Sequence, residues 1–363
     1  MSIIRDLLIK AVEMDASDVH IKPHTGPYFR AHAKLAESGF DVITPEQMEA
    51  IIKDIIPPYL AKAFEAQHEA DFSLVEEGAG RFRVNVFMSQ GVPAIAMRYV
   101  KNRIPTVEDL RLPSQLVNLS NAERGIILLC GTTGSGKSTT LAAIIGGINR
   151  NHRRRIITVE DPIEYTFQDD QSVVSQREVG LDTLSFQNAL KHLMRQDPDV
   201  ILIGEMRDPV SIRTALLAAE TGHLVLSTLH AGSASLSVPR MLDVFPDAEQ
   251  DQIRMGLAGN LHTVICQRLV PDVKGGVIPA VEIMVNTSTV RKLMEKNQLE
   301  ILAAAIETGK DDGMQSFNQS IYNHIKAGFI TEKEGMRYAT NPESLRMNLQ
   351  GIFLDEGKRI LAT

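Results

Sequence analysis

GIILLCGTTGSGKSTTLAAIIGGI, Gly125 to Ile148, decides the fold. It opens on the apolar run GIILLC, passes through GTTGSGKS at 131–138, and ends in a helix-forming stretch rich in alanine, leucine and isoleucine. The middle matches G-x-x-x-x-G-K-[ST], and the order strand, glycine-rich loop, helix gives that pattern a direct physical reading. Gly131, Gly134 and Gly136 allow backbone N–H groups to turn inward around phosphate oxygens, while the start of the helix adds the positive end of its dipole. Thr132, Thr133, Ser135 and Thr139 fill out the loop and the first helical turn. Lys137 is spaced to reach β- and γ-phosphates, and Ser138 to ligate Mg²⁺.

Three more apolar runs follow: RIITV at 155–159, DVILI at 199–203 and HLVLSTL at 223–229. None alternates with polar residues, so each reads as a strand buried on both faces, the mark of a parallel sheet between helices. Ligands of such α/β sheets lie at the carboxyl ends of the strands. Carboxylates cluster there. Glu205 ends one strand beside Gly204 and is the first choice for holding Mg²⁺ through its water shell. ITVEDPIEYTF, 157–167, sets Glu160, Asp161 and Glu164 close together after another strand, with Pro162 stiffening the turn. Three acids so close repel one another unless cations lie near, and Lys137 with Mg²⁺ supplies them. One of the three is expected to polarise the attacking water, and spacing does not choose among them. His230 ends the run HLVLSTLH, where a polar group can sense a γ-phosphate.

Before this region the pattern predicts a smaller α/β domain. Ile3, Ile4, Leu7, Leu8 and Val12 recur at helical spacing, ASDVHIKP reads as a strand, and Thr44 caps a helix from Pro45 to Ile56 that the prolines 57 and 58 stop. From Arg81 to Val100 two alternating runs meet at Gly91, which predicts a hairpin. The expected boundaries are an N-terminal domain at 1–100, a linker at 101–116 carrying KNRIPTVEDLRLP, and the larger domain at 117–363. Toward the C-terminus, Ile253, Leu257, Leu261, Val264 and Ile265 predict one apolar helix face, and further helices are expected over 287–308, 314–326 and 331–339.

The chain has 363 residues, enough for two domains, and 38 Lys and Arg against 45 Asp and Glu give a net charge of -7. That acidic balance argues against a nucleic-acid motor, even though RNHRRR at 150–155 is basic, because no aromatic platform accompanies it. Two cysteines in apolar surroundings, Cys130 and Cys266, supply neither a disulfide framework nor a four-cysteine zinc site. The N-terminus lacks the pattern of a signal peptide, and no window approaches the roughly 20 apolar residues of a membrane span, so no direct membrane insertion is expected.

Taken together, the motifs resemble the hexameric secretion ATPases, specifically the PilT/PilU-like type IV pilus retraction (twitching motility) ATPases. GTTGSGKST resembles that family's Walker A motif, EDPIEY its aspartate box, DPDVILIGEMRD its Walker B motif and TGHLVLSTLHAGSA its histidine box; QREVG at 176–180, GRFRVN at 80–85 and GMQSFNQ at 313–319 also read as family segments. The resemblance implies a PAS-like N-terminal domain before a RecA-like ATPase domain, with ATP and Mg²⁺ as cofactors. It also implies a cytoplasmic homohexamer, peripheral at the inner membrane through a pilus platform protein, and a paralogous retraction ATPase as a further partner. By position, Glu164 matches the catalytic glutamate, Glu205 the Walker B acid and His230 the histidine-box residue. Arg83 and Arg98 match arginines that reach the nucleotide phosphates. Two departures stand out. Ala231 and Gly232 follow His230 where the family usually has threonine and asparagine, and TVRKLMEKNQ, Thr289 to Gln298, keeps only Arg291 and Leu293 of a retraction helix. The second departure leaves an accessory retraction ATPase as an alternative. An assembly or type II secretion ATPase is less favoured, since those relatives carry a four-cysteine metal site. A subunit that binds ATP without hydrolysing it would not need the full set Lys137, Glu164 and Glu205.

Overall fold

The computed structural model describes residues 3–31, 34–100 and 103–352. Lys101 and Asn102, which begin the expected linker, and residues 353–363 lie outside the described residues. The chain forms two compact units. The first holds the described residues up to Arg103 together with Pro162–Thr166 and Glu178–Leu184, and the second holds the rest.

In the first unit, α1 (Ile3–Glu13) buries Ile4, Leu7, Leu8 and Ala11, one stripe of a helix at its natural period. The strands are β1 (Ala16–Ile21), β2 (Tyr28–Ala31), β3 (Lys34–Glu37), β4 (Glu69–Glu76), β5 (Gly80–Ser89) and β6 (Val92–Val100), in one sheet of order β3-β2-β1-β6-β5-β4. All its neighbours run antiparallel. Along β5 the even positions Phe82, Val84 and Val86 are buried while Arg83 is exposed, the alternation of a half-buried sheet. The predicted helix at 45–56 is α2 (Pro45–Ile55), where Thr44 and Gln47 form a capping box and Pro45 takes the first turn. That helix stops directly before the paired prolines, as expected, and Pro58 then starts a separate helix, α3 (Pro58–Gln67), again at the position where a missing N–H is harmless.

The second unit is built on a sheet of order β13-β12-β7-β11-β10-β8-β9. Its strands are β7 (Gly125–Cys130), β8 (Arg155–Glu160), β9 (Val173–Glu178), β10 (Val200–Ile203), β11 (Leu224–Leu229), β12 (Leu261–Pro271) and β13 (Val277–Val285). β8, β10, β11, β7 and β12 pair in parallel, and β13 adds an antiparallel edge. Every residue of β7, β10 and β11 is buried. The apolar runs without alternation thus become strands covered on both faces.

One expectation is corrected. Leu261, Val264 and Ile265 do not continue the helix of Ile253 and Leu257. That helix, Asp247–Asn260, stops, and the three residues lie in β12. Asn286 Nδ2 donates to the carbonyls of Ala258 (3.0 Å) and Leu261 (2.7 Å), satisfying acceptors that the helix leaves open. The spacing misled because a strand buried on both faces carries no alternation, so chance intervals of three and four imitate a helix. The expected helix over 287–308 is also interrupted. It runs Ser288–Glu295, breaks at Asn297 (φ 56°), and resumes as Leu302–Thr308.

Candidate nucleotide and catalytic site

The phosphate cradle lies between β7 and α4 (Lys137–Asn151). Gly131 has φ 146°, and a Cβ there would lie 2.4 Å from Ser135 Oγ and 2.6 Å from the Gln267 carbonyl. Gly136 has φ 85°, and its Cβ would meet Gln267 Nε2 at 2.7 Å. Neither position accommodates a side chain, which is the physical content of the glycine pattern. Thr132, Thr133 and Gly134 form the exposed rim, Ser138 and Thr139 are half-buried, and Ser135 is buried. Lys137 Nζ donates to the carbonyls of Gly131 and Thr132, both at 3.0 Å, so the ammonium is held over the loop.

The cradle is braced from β12. Gln267, 2% exposed, donates from Nε2 to the Ser135 carbonyl (2.7 Å) and accepts at Oε1 from the Thr140 hydroxyl (2.8 Å). One buried amide therefore ties the loop to the first turns of α4. A cavity of about 400 Å³ opens beside it, lined by Thr139, Thr140, Gln267 and Leu269 together with Asp109 and Arg111. These features fit ATP: the loop is free of Cβ atoms where phosphates must approach, and the adjoining cavity is roomy enough for a nucleoside.

The ends of β10 and β11 are fastened together. Met206 N–H donates to the Thr228 carbonyl (2.9 Å) and the Thr228 hydroxyl to the Gly204 carbonyl (2.7 Å). A Cβ at Gly204 would lie 3.1 Å from the Val159 carbonyl of β8, which explains the glycine before the acid. The result brings Glu205 and His230 together, Oε1 to Nε2 at 3.5 Å. Gly131 N–H reaches the Leu229 carbonyl (3.3 Å), linking the start of the cradle to the residue before His230.

The three acids of the opening turn separate. Glu160 Oε1 accepts from the Thr158 hydroxyl of its own strand (2.6 Å) and from Gln176 Nε2 (3.2 Å), the second of which fastens β8 to β9. Asp161 is exposed in the second unit. Glu164 is exposed in Pro162–Thr166, a segment of the first unit. Arg83 and Arg98 are cross-strand partners on β5 and β6 of the first unit, both exposed. Arg98 Nε donates to Asp18 Oδ1 at 2.8 Å. Burial raises the Asp18 pKa, but the Ser17 hydroxyl and the Arg98 guanidinium outweigh it and hold the carboxyl below its ordinary value.

Arg268 and Glu282 hold the loop that follows His230. Arg268 Nη2 donates to the Gly232 carbonyl (3.3 Å) and Nη1 to the Tyr338 carbonyl (3.1 Å), while the guanidinium lies 3.8 Å over the Phe317 ring. Glu282, buried on β13, accepts from Ala234 N–H at 2.5 Å, and burial raises its pKa. The loop after His230 is thus held through its backbone, which does not require threonine and asparagine side chains.

Residues 1–337 match the family described as Type II/IV secretion system protein. The chain belongs to that family. A Pseudomonas aeruginosa protein named type IV pilus retractation ATPase PilT is 38% identical over 341 residues, covering 94% of this chain and 99% of that relative. A second protein of P. aeruginosa, named type IV pilus ATPase PilU, is 36% identical over 345 residues, 95% of this chain and 90% of that relative. A crystal structure described as the pilus retraction motor PilT with bound ADP aligns with a TM-score of 0.88 at 39% identity, covering 94% of this chain and 98% of that one. The architecture is therefore that of the two-domain secretion ATPases.

Two residues that brace the loops of the second unit were not foreseen. Gln267 and Arg268 lie just beyond Ile265, the last residue of the expected helix face, where the one available signal was a polar pair beside an apolar run.

Proposed function

We propose that this chain is a subunit of an Mg²⁺-dependent ATPase motor that powers type IV pilus retraction. The observation that carries the reading is end-to-end likeness to a protein named as a retraction ATPase, 94% of this chain on 99% of that relative. The cradle supports the same reading, since its glycines, Lys137 and the Gln267 brace form a complete phosphate-binding element.

In this reading the P-loop amides and Lys137 bind and orient the phosphates, and the nucleoside occupies the cavity lined by Thr139 and Leu269. Ser138 and Glu205 hold Mg²⁺, which when bound neutralises charge on the phosphoryl oxygens. Glu164 takes the proton of the attacking water. Arg83 and Arg98 stabilise developing negative charge, for which Arg98 must exchange Asp18 for phosphate. His230, beside Glu205, reports the state of the site to the loop that Arg268 ties to Tyr338. Six copies form the working ring, and an inner-membrane platform protein receives the motion. Among the described residues no helix is long and apolar enough to cross a membrane, so attachment through such a partner is the route this reading requires.

A second reading, an accessory retraction ATPase working with a primary motor, is favoured by the comparable likeness to PilU and by the altered segment Thr289–Gln298. Deleting the gene separates them. Loss of pilus retraction, restored by the wild-type gene and not by a Glu205→Ala copy, is the outcome expected of a primary motor. Normal retraction after deletion removes that reading and leaves the accessory one.

A further inference from the structure

The segment QREVG ends β9 on a carboxylate that the proposed reaction does not use. Glu178 is 4% exposed, yet its oxygens are fully engaged within the first unit. Oε1 accepts the Ser73 hydroxyl of β4 at 2.6 Å, and Oε2 accepts Arg81 Nη2 of β5 at 2.8 Å. Oε2 also accepts the backbone N–H of Ile163 at 3.0 Å. Arg81 Nη2 closes the cluster by donating to Ser73 Oγ at 3.1 Å. The far side is fixed as well, because Glu178 N–H donates to Asp182 Oδ2 at 2.8 Å and Asp182 N–H to the Glu178 carbonyl at 2.9 Å.

A carboxylate withdrawn from water is tolerated when charged and neutral donors satisfy it, and here they do. The choice of donors is the informative part. Two come from the sheet of the first unit, while the third is the backbone amide directly before Glu164. Ile163 itself is buried, 3% exposed, so both its side chain and its amide are anchored while Glu164 alone points to solvent.

We propose that Glu178 is a positioning residue for hydrolysis: through Ser73, Arg81 and the Ile163 amide it locks Pro162–Thr166 to the N-terminal sheet, so that Glu164 is carried by the first unit. The inference rests on the reading of Glu164 as the hydrolytic base. It separates two properties that a purely structural ion pair would change together. Nucleotide binding belongs to the cradle and is independent of this lock, whereas turnover depends on it.

The test uses the purified full-length chain, a fluorescent ATP analogue for binding and phosphate release for kcat. Glu178→Gln keeps an acceptor for Ile163 but loses the charge that holds Arg81. It should lower kcat about 10- to 100-fold while leaving the analogue's Kd within about twofold, since misplacing a catalytic group degrades the reaction more than binding. Ser73→Ala, which removes one neutral donor at the edge of the cluster, covers the case in which the first variant does not fold. It should lower kcat about two- to fivefold with Kd unchanged. On a Glu164→Gln background neither change should lower kcat further. Full additivity on that background, Ser73→Ala at wild-type kcat, or Kd rising in step with lost turnover would overturn the positioning role and leave Glu164 as the base. Wild-type turnover by Glu164→Gln alone would instead remove the base reading, and the positioning role with it.

Discussion

The phosphate cradle and the glutamate loop are built in opposite ways. The cradle is continuous in sequence and is completed by a neighbouring strand of its own unit: six loop residues between β7 and α4, one lysine folded over them, and Gln267 behind. The glutamate loop is five residues, Pro162–Thr166, that leave the second unit's strand and pack with the first unit. It is held by Glu178, further along the chain, which accepts the Ile163 N–H and is itself bonded by Ser73, 105 residues from it. The proposed reading therefore gives binding and chemistry to elements of different contact range.

The comparison breaks most severely if Lys137 can be spared. Lys137→Ala removes a charge-assisted donor to phosphate and should weaken ATP binding by at least about 100-fold, measured by titration of a fluorescent analogue. Gln267→Ala probes the brace. It leaves the Ser135 carbonyl and Thr140 hydroxyl without their buried partner, which should cost about 1–3 kcal/mol in urea unfolding and loosen nucleotide binding in parallel. A stable variant with unchanged binding would mean the cradle needs no support from β12.

These two predictions also mark how far the sequence could be read. The cradle was legible because the chemistry of a P-loop is local: glycines, lysine and hydroxyl must follow one another along the chain, and strand and helix flank them by periodicity. The place of Glu205 was legible for the same reason, as an acid just after an apolar run that becomes β10. Gln267 was not, since it lies on β12, whose first residues pass for the end of a helix, and its 132-residue separation from Ser135 leaves no local pattern. By spacing alone Glu160, Asp161 and Glu164 looked equivalent, because what separates them in the structure is tertiary. Glu160 is occupied by Thr158 and Gln176, and Glu164 belongs with the other unit. Nothing in the spacing of QREVG marks a carboxylate that reaches Ile163, Ser73 and Arg81.

A smaller effect sharpens the view of the histidine-box loop as part of the second unit's packed interior. Burial raises the Glu282 carboxyl above its ordinary value of 4.5. The folded state therefore binds more protons than the unfolded state between 4.5 and that raised value, and stability falls as pH rises through this window and is level above it. Glu282→Gln should remove this fall, seen as a flatter urea midpoint against pH than the wild type gives across the same interval. An identical pH profile would show that Glu282 does not titrate on unfolding. The smallest effect concerns the thiols. Cys130 and Cys266 are 0% and 1% exposed, and burial, with Glu282 next in weight, pushes Cys266 up to about 12. Neither should react with iodoacetamide in the folded protein, and both should in denaturant, as counted by mass spectrometry.

The central claim is that binding belongs to the cradle and hydrolysis to the glutamate loop, and Glu164→Gln tests it most directly. Phosphate release and nucleotide affinity are measured on the same preparation. The expected result is turnover reduced by about 100-fold or more with affinity within about threefold of wild type. Turnover near the wild-type rate, or affinity lost along with it, would contradict the division.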